Sequence, residues 1–553
     1  KKLLAVMDIG SSKISCLQTI TDNNDITKVI GLSTIASKGI NSGVITDYNL
    51  ATDSIAKAIR DCEKKSGESI TELSVSISSH KCFTKVIRSN IKIKDGVFPL
   101  RQMTLVAFLQ AQNCTNFAAS WRHPESRVDS TSPDFYRHIA RVLEEGKFHL
   151  GFFDDRLAMP DMYGGNHEHT VEGGIRCVKM DPVTVLMTMG MATENLGLGS
   201  TYSTTYYEPF HVARVFSTLD LMSKGRAAWN IVTSLNDGEA MNMGRTEVIE
   251  HDKRYDSADE FMEVVLGHWN SWEEGAILAD KVNNRFADPK KIHRIDFEGE
   301  YYKSRGPFTV PRSPQGHPVL IQAGQSGRGQ RFAARWAELV FVAYPNIEAG
   351  RKEYAAFKEN IAAHGRDPDK VKVAALAHCV SAETRSEAED KRALIDTLPT
   401  DLDQLSLLSE ALNFDFGSRG IDEPLSTEEI EGMQGIQGIR NRVLEASGKT
   451  NPTPREFMKF SGRGLLHSPW VGSGKDVADI MEEWFTTGAC DGFVIAATHV
   501  PGAYEDFVKF VVPELQRRGI YHKDYAGPTL RENLGLDYPT AAHWSIPMPS
   551  GGH

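Results

Sequence analysis

The sequence has no long apolar run and no excess of positive charge. None of its apolar stretches approaches the ~20 residues that a membrane-spanning helix needs. Acidic residues outnumber basic ones by 73 to 62, and the formal net charge is −11. Phosphate backbones and anionic lipid surfaces repel such a chain. We therefore predict neither a membrane nor a nucleic-acid partner, and the early acid Asp8 argues against a secretory signal.

Paired metal-ligand motifs are also missing. The seven cysteines form no C-x-x-C pair, and the eighteen histidines form no H-x-x-x-H pair with a third ligand nearby. Scattered cysteines without such pairs are typical of reduced thiols in a cytoplasmic protein. The sequence thus predicts a cytoplasmic location and no metal centre.

Common nucleotide fingerprints are absent as well. No G-x-G-x-x-G follows a predicted strand, so no nicotinamide site is expected. The stretch Gly472-Ser473-Gly474-Lys475 resembles a P-loop, but Pro469 and Asp476 stand where that motif needs Gly and Ser or Thr. We predict that Ser473 caps a helix instead.

A glycine-rich turn is present between Gly324 and Gly329. The apolar run Val319-Leu320-Ile321 predicts a buried strand before it, and helical spacing begins near Arg331. Glycines between a strand and a helix let backbone N–H groups point at a phosphate. The simpler alternative is a βα turn without a ligand.

The length of 553 residues predicts two or three domains. Residues 1–96 form the first, with strands at 3–7, 14–17, 29–33 and 73–77, a helix at 49–64, and β character from 83 to 93. We expect a second domain at 97–545 and a tail at 546–553. The boundary is placed near Gly96, where β patterns give way to strands that alternate with long helical patterns.

From residue 101 onward, predicted strands alternate with long helical patterns, which indicates a parallel sheet. Eight such strands predict an α/β fold, a (β/α)8 TIM barrel, with its active site at the carboxyl ends of the strands. Residues 236–312 and 397–469 are longer than normal connections, and we expect them to cover the barrel mouth as an insertion and a lid. The strands are expected at 103–108, 149–153, 198–203, 228–233, 319–323, 339–343, 371–379 and 492–496.

Several polar side chains follow predicted strands on that face. Asp155 comes after the second strand and Thr201 lies in the third. His251 and Tyr255 are four residues apart and share one face if they lie on a helix, where both can reach a ligand. For each residue alone, a structural or surface role is the alternative.

Residues 101–538 closely resemble the two-component, flavin-dependent monooxygenases of the bacterial-luciferase superfamily. The group in question contains the nitrilotriacetate, EDTA, dibenzothiophene-sulfone and long-chain alkane monooxygenases. The motifs occur in order along the barrel. They include Trp121-Arg122-His123-Pro124, Phe153-Asp154-Asp155 and residues 225–234, 250–255 and 313–326.

The resemblance implies an FMN-binding enzyme. Asp155 and Thr201 would line the isoalloxazine side, and His251, Tyr255 and Ser326 would hold the ribityl phosphate. An NAD(P)H-dependent reductase would supply reduced FMN, and O2 would form a flavin (hydro)peroxide that oxidises a C–S, C–N or C–H bond of a small organic substrate. A homodimer or tetramer is implied. A luciferase-like reductase that uses a deazaflavin is the alternative within this fold.

The substrate pocket is implied at Phe108, Asn116 and Phe153. Some members of the family carry substrate-facing histidines where this sequence has Asn116 and Ala411. Loss of both imidazoles removes two candidate proton donors, so we assign no catalytic acid or base.

Residues 1–96 resemble a truncated first subdomain of the bacterial cell-division actin homologue. The resemblance rests on Asp8-Ile9-Gly10-Ser11-Ser12-Lys13 and on residues 39–47. An ATPase of that type also needs a second Asp-x-Gly hairpin and an adenosine loop, and neither is found in a suitable context. We expect an appendage without ATPase activity. The alternative from a different class is a cytoskeletal or division-linked interaction protein.

Overall fold

The computed structural model describes residues 2–21, 27–41, 44–71, 73–77, 101–110, 117–324, 327–433, 435–461 and 469–540. The chain divides into two compact units, residues 1–101 and 102–553. Each unit has its own sheet and its own apolar cluster.

The first unit is a four-stranded sheet with one helix packed on it. The sheet order is β3-β2-β1-β6, in which β6 runs parallel to β1 and the other pairs are antiparallel. Alternation along the strands buries Met7, Ile14 and Cys16 in a cluster with residues of α1. The elements are β1 (Lys2–Ile9), β2 (Lys13–Thr21), β3 (Thr27–Ala36), β4 (Ile40–Asn41), β5 (Val44–Ile45), α1 (Tyr48–Ser66) and β6 (Leu73–Ile77).

The local sequence explains where α1 begins and ends. The Asp47 carboxylate accepts from the Leu50 backbone N–H, and Gly67 ends the helix in the left-handed conformation at φ 71°. The four strands and the helix predicted within residues 1–77 are confirmed. The β character predicted for residues 83–93 and the boundary near Gly96 fall among residues 78–100, outside the described part of the chain.

The second unit is an α/β barrel. Its strands are β7 (Thr104–Leu109), β8 (Leu150–Phe153), β9 (Gly197–Ser203), β10 (Ala227–Val232), β11 (Ile277–Asp280), β12 (Arg285–Ala287), β13 (Phe297–Glu298), β14 (Lys303–Ser304), β15 (Val319–Gln322), β16 (Leu339–Val342), β17 (Lys372–Ala382), β18 (Trp470–Ser473) and β19 (Gly492–Ala496). Its helices are α2 (Pro133–Glu145), α3 (Glu168–Gly173), α4 (Pro182–Gly190), α5 (Pro209–Met222), α6 (Asp237–Asn242), α7 (His251–Trp269), α8 (Gly327–Trp336), α9 (Ile347–Ala363), α10 (Arg385–Asp396), α11 (Asp401–Leu412), α12 (Thr427–Glu431), α13 (Gln437–Ser447), α14 (Pro454–Phe460), α15 (Gly474–Thr486), α16 (Gly502–Asp506), α17 (Val512–Arg517) and α18 (Leu530–Asn533).

Eight parallel strands close into a ring in the order β7-β8-β9-β10-β15-β16-β17-β19. The register Leu339↔Lys372 joins β16 to β17, and Gly492↔Thr104 joins β19 back to β7. The predicted (β/α)8 barrel is therefore confirmed, and each of the eight predicted strands overlaps an observed one.

The two faces of the barrel strands have different partners. Leu105, Ala107 and Phe153 belong to a cluster with the helices α2, α4, α15 and α17. Val106 and Phe152 belong to the cluster that fills the inside of the barrel. Burial of one such large side chain is worth about 1.5–3 kcal/mol, so the side chains on both faces of the barrel strands contribute to stability.

Both long connections have structure of their own. Residues 236–312 contain α6, α7 and the hairpins β11–β12 and β13–β14, and α7 packs against α5 and α8. Residues 397–469 contain α11 to α14, which enclose a separate apolar cluster around Leu408, Phe416 and Phe457. Helix α11 begins with a capping box between Thr400 and Asp403.

A buried polar network ties together the amino ends of the barrel strands. Asp220 accepts from the backbone N–H of Ala227 at 2.9 Å and from Gln315 Nε2 at 2.7 Å. Arg531 pairs with Glu338 at 2.5 Å, and Glu338 Oε2 accepts from the Leu320 N–H at 3.1 Å. We call these four side chains, of Asp220, Gln315, Glu338 and Arg531, the lower network.

The described residues also bear on the predicted state of the cysteines and on the predicted absence of a membrane span. Among the described residues, Cys16, Cys62, Cys177, Cys379 and Cys490 form no disulfide. Among the helices that the structure describes, none has the length and apolarity to cross a membrane. The cytoplasmic location stays a prediction.

Candidate active site

A cavity of 430 Å³ lies at the carboxyl ends of the barrel strands. Residues from all eight barrel strands or the loops that follow them line it, and α11 contributes Leu407, Glu410 and Ala411. In a barrel of parallel strands this end is where side chains from several loops converge on a ligand. The second long connection therefore supplies part of the cavity wall, as predicted for a lid.

One side of the cavity is apolar. Phe108 and Phe152 lie with their ring centroids 5.7 Å apart, and Phe152 meets Phe341 edge-on at 4.8 Å. Leu376 and Val494 complete this wall inside the barrel. Such a surface binds flat, apolar groups without a desolvation cost.

The opposite side begins with a buried ion-pair cluster around Asp154. This carboxylate accepts from Lys179 Nζ and Arg176 Nη2, each at 2.5 Å, and from Gln110 Nε2 at 2.9 Å. Burial alone would raise the pKa of Asp154, but Lys179 and Arg176 outweigh that and hold the pKa below its ordinary value. Asp154 is therefore a fixed anion that cancels nearby positive charge.

The neighbouring carboxyl, Asp155, is in a different state. Burial raises its pKa to about 7, although Lys179 and the Arg156 backbone N–H both act to lower it. Its Oδ1 accepts from that N–H at 2.8 Å. A cavity-lining carboxyl with a pKa near neutrality can both hold and release a proton at physiological pH.

Glu410 joins α11 to the loop that follows β8. Its Oε2 pairs with Arg156 Nη2, and its Oε1 accepts from the backbone N–H groups of Asp161 and Met162, each at 2.9 Å. Asn236 Nδ2 donates to the Glu410 carbonyl at 2.8 Å. These contacts join α11 to the loops that follow β8 and β10, and its apolar residues Leu407 and Ala411 line the cavity.

Two polar side chains on β9 and β10 form a pair in the cavity wall. Asn230 Nδ2 donates to Thr201 Oγ1 at 2.8 Å. Asn230 Oδ1 is buried and has no hydrogen-bond partner among the described residues. A buried acceptor of this kind is costly unless a ligand N–H satisfies it.

A second feature adjoins the cavity where β15 leads into α8. Ala323 lines the cavity, and the next residue is Gly324. A Cβ on Gly324 would lie 3.1 Å from Tyr255 Oη and 2.5 Å from Gln322 Nε2, so a side chain there would crowd both groups. The amino end of α8 follows at Gly327. We call Gly324, Tyr255 and the start of α8 the glycine cradle; it presents a hydroxyl and a helix amino end.

Apart from Phe153, the predicted site residues fall into three sets. Phe108, Asp155 and Thr201 line the cavity. Tyr255 lies at the glycine cradle, and His251 is beside it with ring centroids 5.1 Å apart, half exposed and bonded to Asp252. Asn116 and Ser326 lie outside the described residues.

Phe153 does not line the cavity, contrary to the prediction. Its ring packs outside the barrel, 6.0 Å from that of Tyr136, and Phe152 faces the cavity in its place. All four residues of β8 are buried, so no polar alternation in the sequence shows which face is inward.

The sequence reasoning missed Arg156, Arg176, Asn230 and Glu410. Arg156 directly follows Asp155, and Asn230 lies in a strand that was correctly predicted, so position alone could have indicated both. Glu410 is 254 residues from Arg156, and no local pattern connects them.

One cluster of possible metal ligands occurs in the described part of the chain. Ligand atoms of His123, Glu125 and His499 lie within 4.8 Å of one another. The two imidazoles are stacked with centroids 3.7 Å apart and planes 10° from parallel, so their lone pairs do not converge on one point. His123 Nδ1 accepts from the Glu125 N–H at 3.2 Å, which places the ring proton on Nε2. The absence of a metal centre stays a prediction.

Known proteins resemble this chain over most of its second unit. The family model described as luciferase-like monooxygenase matches residues 115–489. Dibenzothiophene-sulfone monooxygenase from Rhodococcus erythropolis is 43% identical over 443 residues, 79% of this chain and 98% of that protein. Nitrilotriacetate monooxygenase component A from Aminobacter aminovorans is 40% identical over 426 residues, 76% of this chain and 93% of that protein. The crystal structure of riboflavin lyase (RcaE) with modified FMN and riboflavin superposes with a TM-score of 0.71 at 30% identity, covering 81% of this chain and 100% of the lyase.

Proposed function

Because the chain belongs to the luciferase-like monooxygenase family, we propose that its second unit uses reduced FMN to oxygenate a small organic substrate. One atom of O2 would enter the substrate at a C–S, C–N or C–H bond, and the other would leave as water as reduced FMN is oxidised to FMN. The observation that carries the proposal is the adjacency of a cavity with an apolar wall and a glycine cradle at one end of the barrel.

The residues present fit FMN in two respects. The glycine cradle offers the Tyr255 hydroxyl and the amino end of α8 as donors to a phosphate, and Gly324 adds no side chain to a position where a Cβ would already be crowded. The unpaired Asn230 Oδ1 offers an acceptor to an N–H group of a flavin ring. His251 and Ser326 are proposed to complete the phosphate site, and Asp155 and Thr201 to line the ring side.

Bound reduced FMN would supply the electrons that activate O2. The chain's own residues would position it and control protons and water. Helix α11, fastened by Glu410, excludes water through Leu407 and Ala411. Asp155 Oδ1 accepts the Arg156 N–H, so Oδ2 is the oxygen proposed to hold a proton near the reacting groups.

We propose a separate NAD(P)H-dependent reductase as the source of reduced FMN, since the sequence has no nicotinamide fingerprint after a predicted strand. The relatives named above act on a sulfone and on an aminotricarboxylate, by their names. The substrates named in these two relatives serve as probes of the activity of this chain. Dibenzothiophene sulfone is the neutral probe, and nitrilotriacetate is the tricarboxylate probe.

We also propose that residues 1–96, with their actin-like resemblance, take no part in oxygenation. The groups proposed here to act all belong to the unit formed by residues 102–553. A chain without residues 1–96 should keep its kcat/KM. A loss of activity with the barrel still folded would give the appendage a role.

The test of the proposed function is an anaerobic titration with reduced FMN, followed by addition of O2 and a probe. Wild type should bind reduced FMN and yield an oxygenated product. Gly324→Asp places a carboxylate in the glycine cradle and should weaken binding by about 100-fold or more through charge repulsion. Circular dichroism checks that the variant is folded.

Gly438→Asp is the matched control, because that exposed glycine of α13 has no atom within 4 Å of a Cβ and is not among the residues that line the cavity. It should bind reduced FMN as wild type does. Equal binding by Gly324→Asp would contradict the cradle assignment. Preference for a deazaflavin over reduced FMN would favour the reductase alternative.

A further inference from the structure

We infer that the cavity selects uncharged, largely apolar substrates, such as a diaryl sulfone, and rejects polycarboxylates. This inference rests on the proposed function and narrows it to a substrate class. It follows from the charges of the cavity wall, from the way each cation is held, and from the apolar surfaces that face them.

The described cavity wall carries no surplus of positive charge. Four carboxyl groups line it, from Asp154, Asp155, Glu239 and Glu410, against two guanidinium groups, from Arg156 and Arg176. A third cation, Lys179, lies behind Asp154 and is paired with it. A bound tricarboxylate would therefore be held among anions in a poorly solvated space, which is strongly unfavourable.

Each cation of the wall already has a carboxylate partner. Arg156 pairs with Glu410, whose side chain is 7% exposed. Arg176 and Lys179 share Asp154. Each of the two guanidinium groups keeps one buried N–H, at Nε, without a partner in the described part of the chain. The wall thus offers hydrogen-bond donors to a neutral oxygen and no unpaired positive charge to a carboxylate.

The remaining surfaces suit an apolar substrate. Phe108, Phe152 and Phe341 form one wall, and Leu407, Ala411 and Ile436 come from the lid. A carboxylate against these groups loses its hydration without a partner in exchange, whereas an aromatic ring gains from burial. The polarity of the cavity surfaces therefore favours binding of the neutral aromatic probe over the tricarboxylate probe.

Glu410 is the residue inferred to determine this specificity, because its carboxylate neutralises Arg156 in the cavity wall. Glu410→Gln keeps an oxygen for the Asp161 and Met162 N–H groups but removes the charge that neutralises Arg156. The freed guanidinium should then attract an anionic substrate. One uncompensated charge a few ångströms away is worth about a tenfold or larger change in relative preference.

Helix α11 offers a matched control on the same element. Asp403 is 1% exposed and pairs with Arg122 at 2.6 Å, outside the cavity wall. Asp403→Asn removes a buried acid from the lid without changing the charge of the cavity. It should leave the preference between the probes unchanged, whatever it does to stability.

The experiment compares kcat/KM for the neutral and the tricarboxylate probe, with reduced FMN, O2 and no divalent metal ion. Wild type should favour the neutral probe by about 100-fold or more, as expected for burying uncompensated charge. Glu410→Gln should lower this ratio at least about tenfold, and Asp403→Asn should not. Anaerobic binding of both probes to the wild-type holoenzyme gives a second measurement if Glu410→Gln does not fold.

Three results would overturn the inference. The first is wild-type preference for the tricarboxylate or equal use of both probes, with the proposed oxygenase function intact. The second is an unchanged ratio in folded Glu410→Gln that still binds reduced FMN. The third is binding of reduced FMN by wild type without oxygenation of either probe, which rejects the inferred substrate class; failure to bind reduced FMN would instead reject the proposed function itself.

Discussion

The barrel carries a buried polar network at each end, and the two networks are built alike. At each end one carboxylate is paired with arginine and has a lowered pKa, Glu338 with Arg531 below and Asp154 with Arg176 and Lys179 above. In each case burial acts to raise the pKa and the paired cations outweigh it. At each end a second carboxyl has a raised pKa, mainly from burial, about 6 for Asp220 and about 7 for Asp155.

The difference lies in what the second carboxyl faces. Asp220 is not among the residues that line the cavity: its Oδ1 accepts from the Ala227 N–H and from Gln315, and its Oδ2 is buried without a hydrogen-bond partner among the described residues. Asp155 lines a cavity that is open to a ligand. A perturbed pKa alone therefore does not identify a functional site, and the cavity beside it makes the distinction. This agrees with the division of barrels into a stabilising amino end and a functional carboxyl end.

The largest expected effect is at the lower network. Glu338→Gln leaves Arg531 buried without its counter-ion and should cost about 3–5 kcal/mol of stability in urea unfolding. The folded variant should bind reduced FMN as wild type does. Glu298→Gln, whose pair with Lys303 is exposed at 3.8 Å, is the control and should cost less than about 0.5 kcal/mol. Weaker FMN binding by Glu338→Gln would mean that the two ends are coupled.

The second largest expected effect is the pH dependence that Asp155 gives to the stability of the protein and to kcat/KM. A carboxyl whose folded pKa is raised to about 7 destabilises the protein increasingly as pH rises from the unfolded value of 3.8 towards 7. Asp155→Asn should remove this loss, so its stability relative to wild type should improve by about 2–3 kcal/mol between pH 5 and pH 8. The limb near pH 7 in the kcat/KM profile should disappear. A constant stability difference across this range would refute the raised pKa.

A smaller effect tests the glycine cradle. Tyr255→Phe removes the hydroxyl next to Gly324 and should weaken binding of reduced FMN about tenfold, the worth of one hydrogen bond to a charged group. Tyr302→Phe is the matched control, because its hydroxyl is bonded to Ser257 and lies outside the cavity wall. Binding titrations on both variants make the comparison. Equal affinities would remove Tyr255 from the phosphate site.

The smallest effect is expected at Asp220 and completes the comparison of the two ends. The pKa of Asp220 is raised to about 6, so its effect on stability has the same sign as that of Asp155. Stability is lost as pH rises from about 4 to 6. Asp220→Asn should improve stability relative to wild type by only about 1 kcal/mol between pH 5 and pH 8. The pH profile of kcat/KM should stay unchanged. A shifted profile would show that the lower network reaches the reaction.

The sequence by itself determined the elements and the end of the barrel at which the site lies. Buried parallel strands are short apolar runs between helical patterns, so all eight were visible without a structure. Asp155 and Thr201 were found because a residue that ends or follows such a strand must lie at the carboxyl face.

Only the tertiary structure decided which faces and which partners the residues have. Phe152 rather than Phe153 faces the cavity, because β8 is buried on both sides and its sequence shows no alternation. The pairing of Glu410 with Arg156 joins residues 254 positions apart, and the raised pKa of Asp155 comes mainly from burial. Charge compensation and desolvation depend on distances through space, which a linear pattern does not contain.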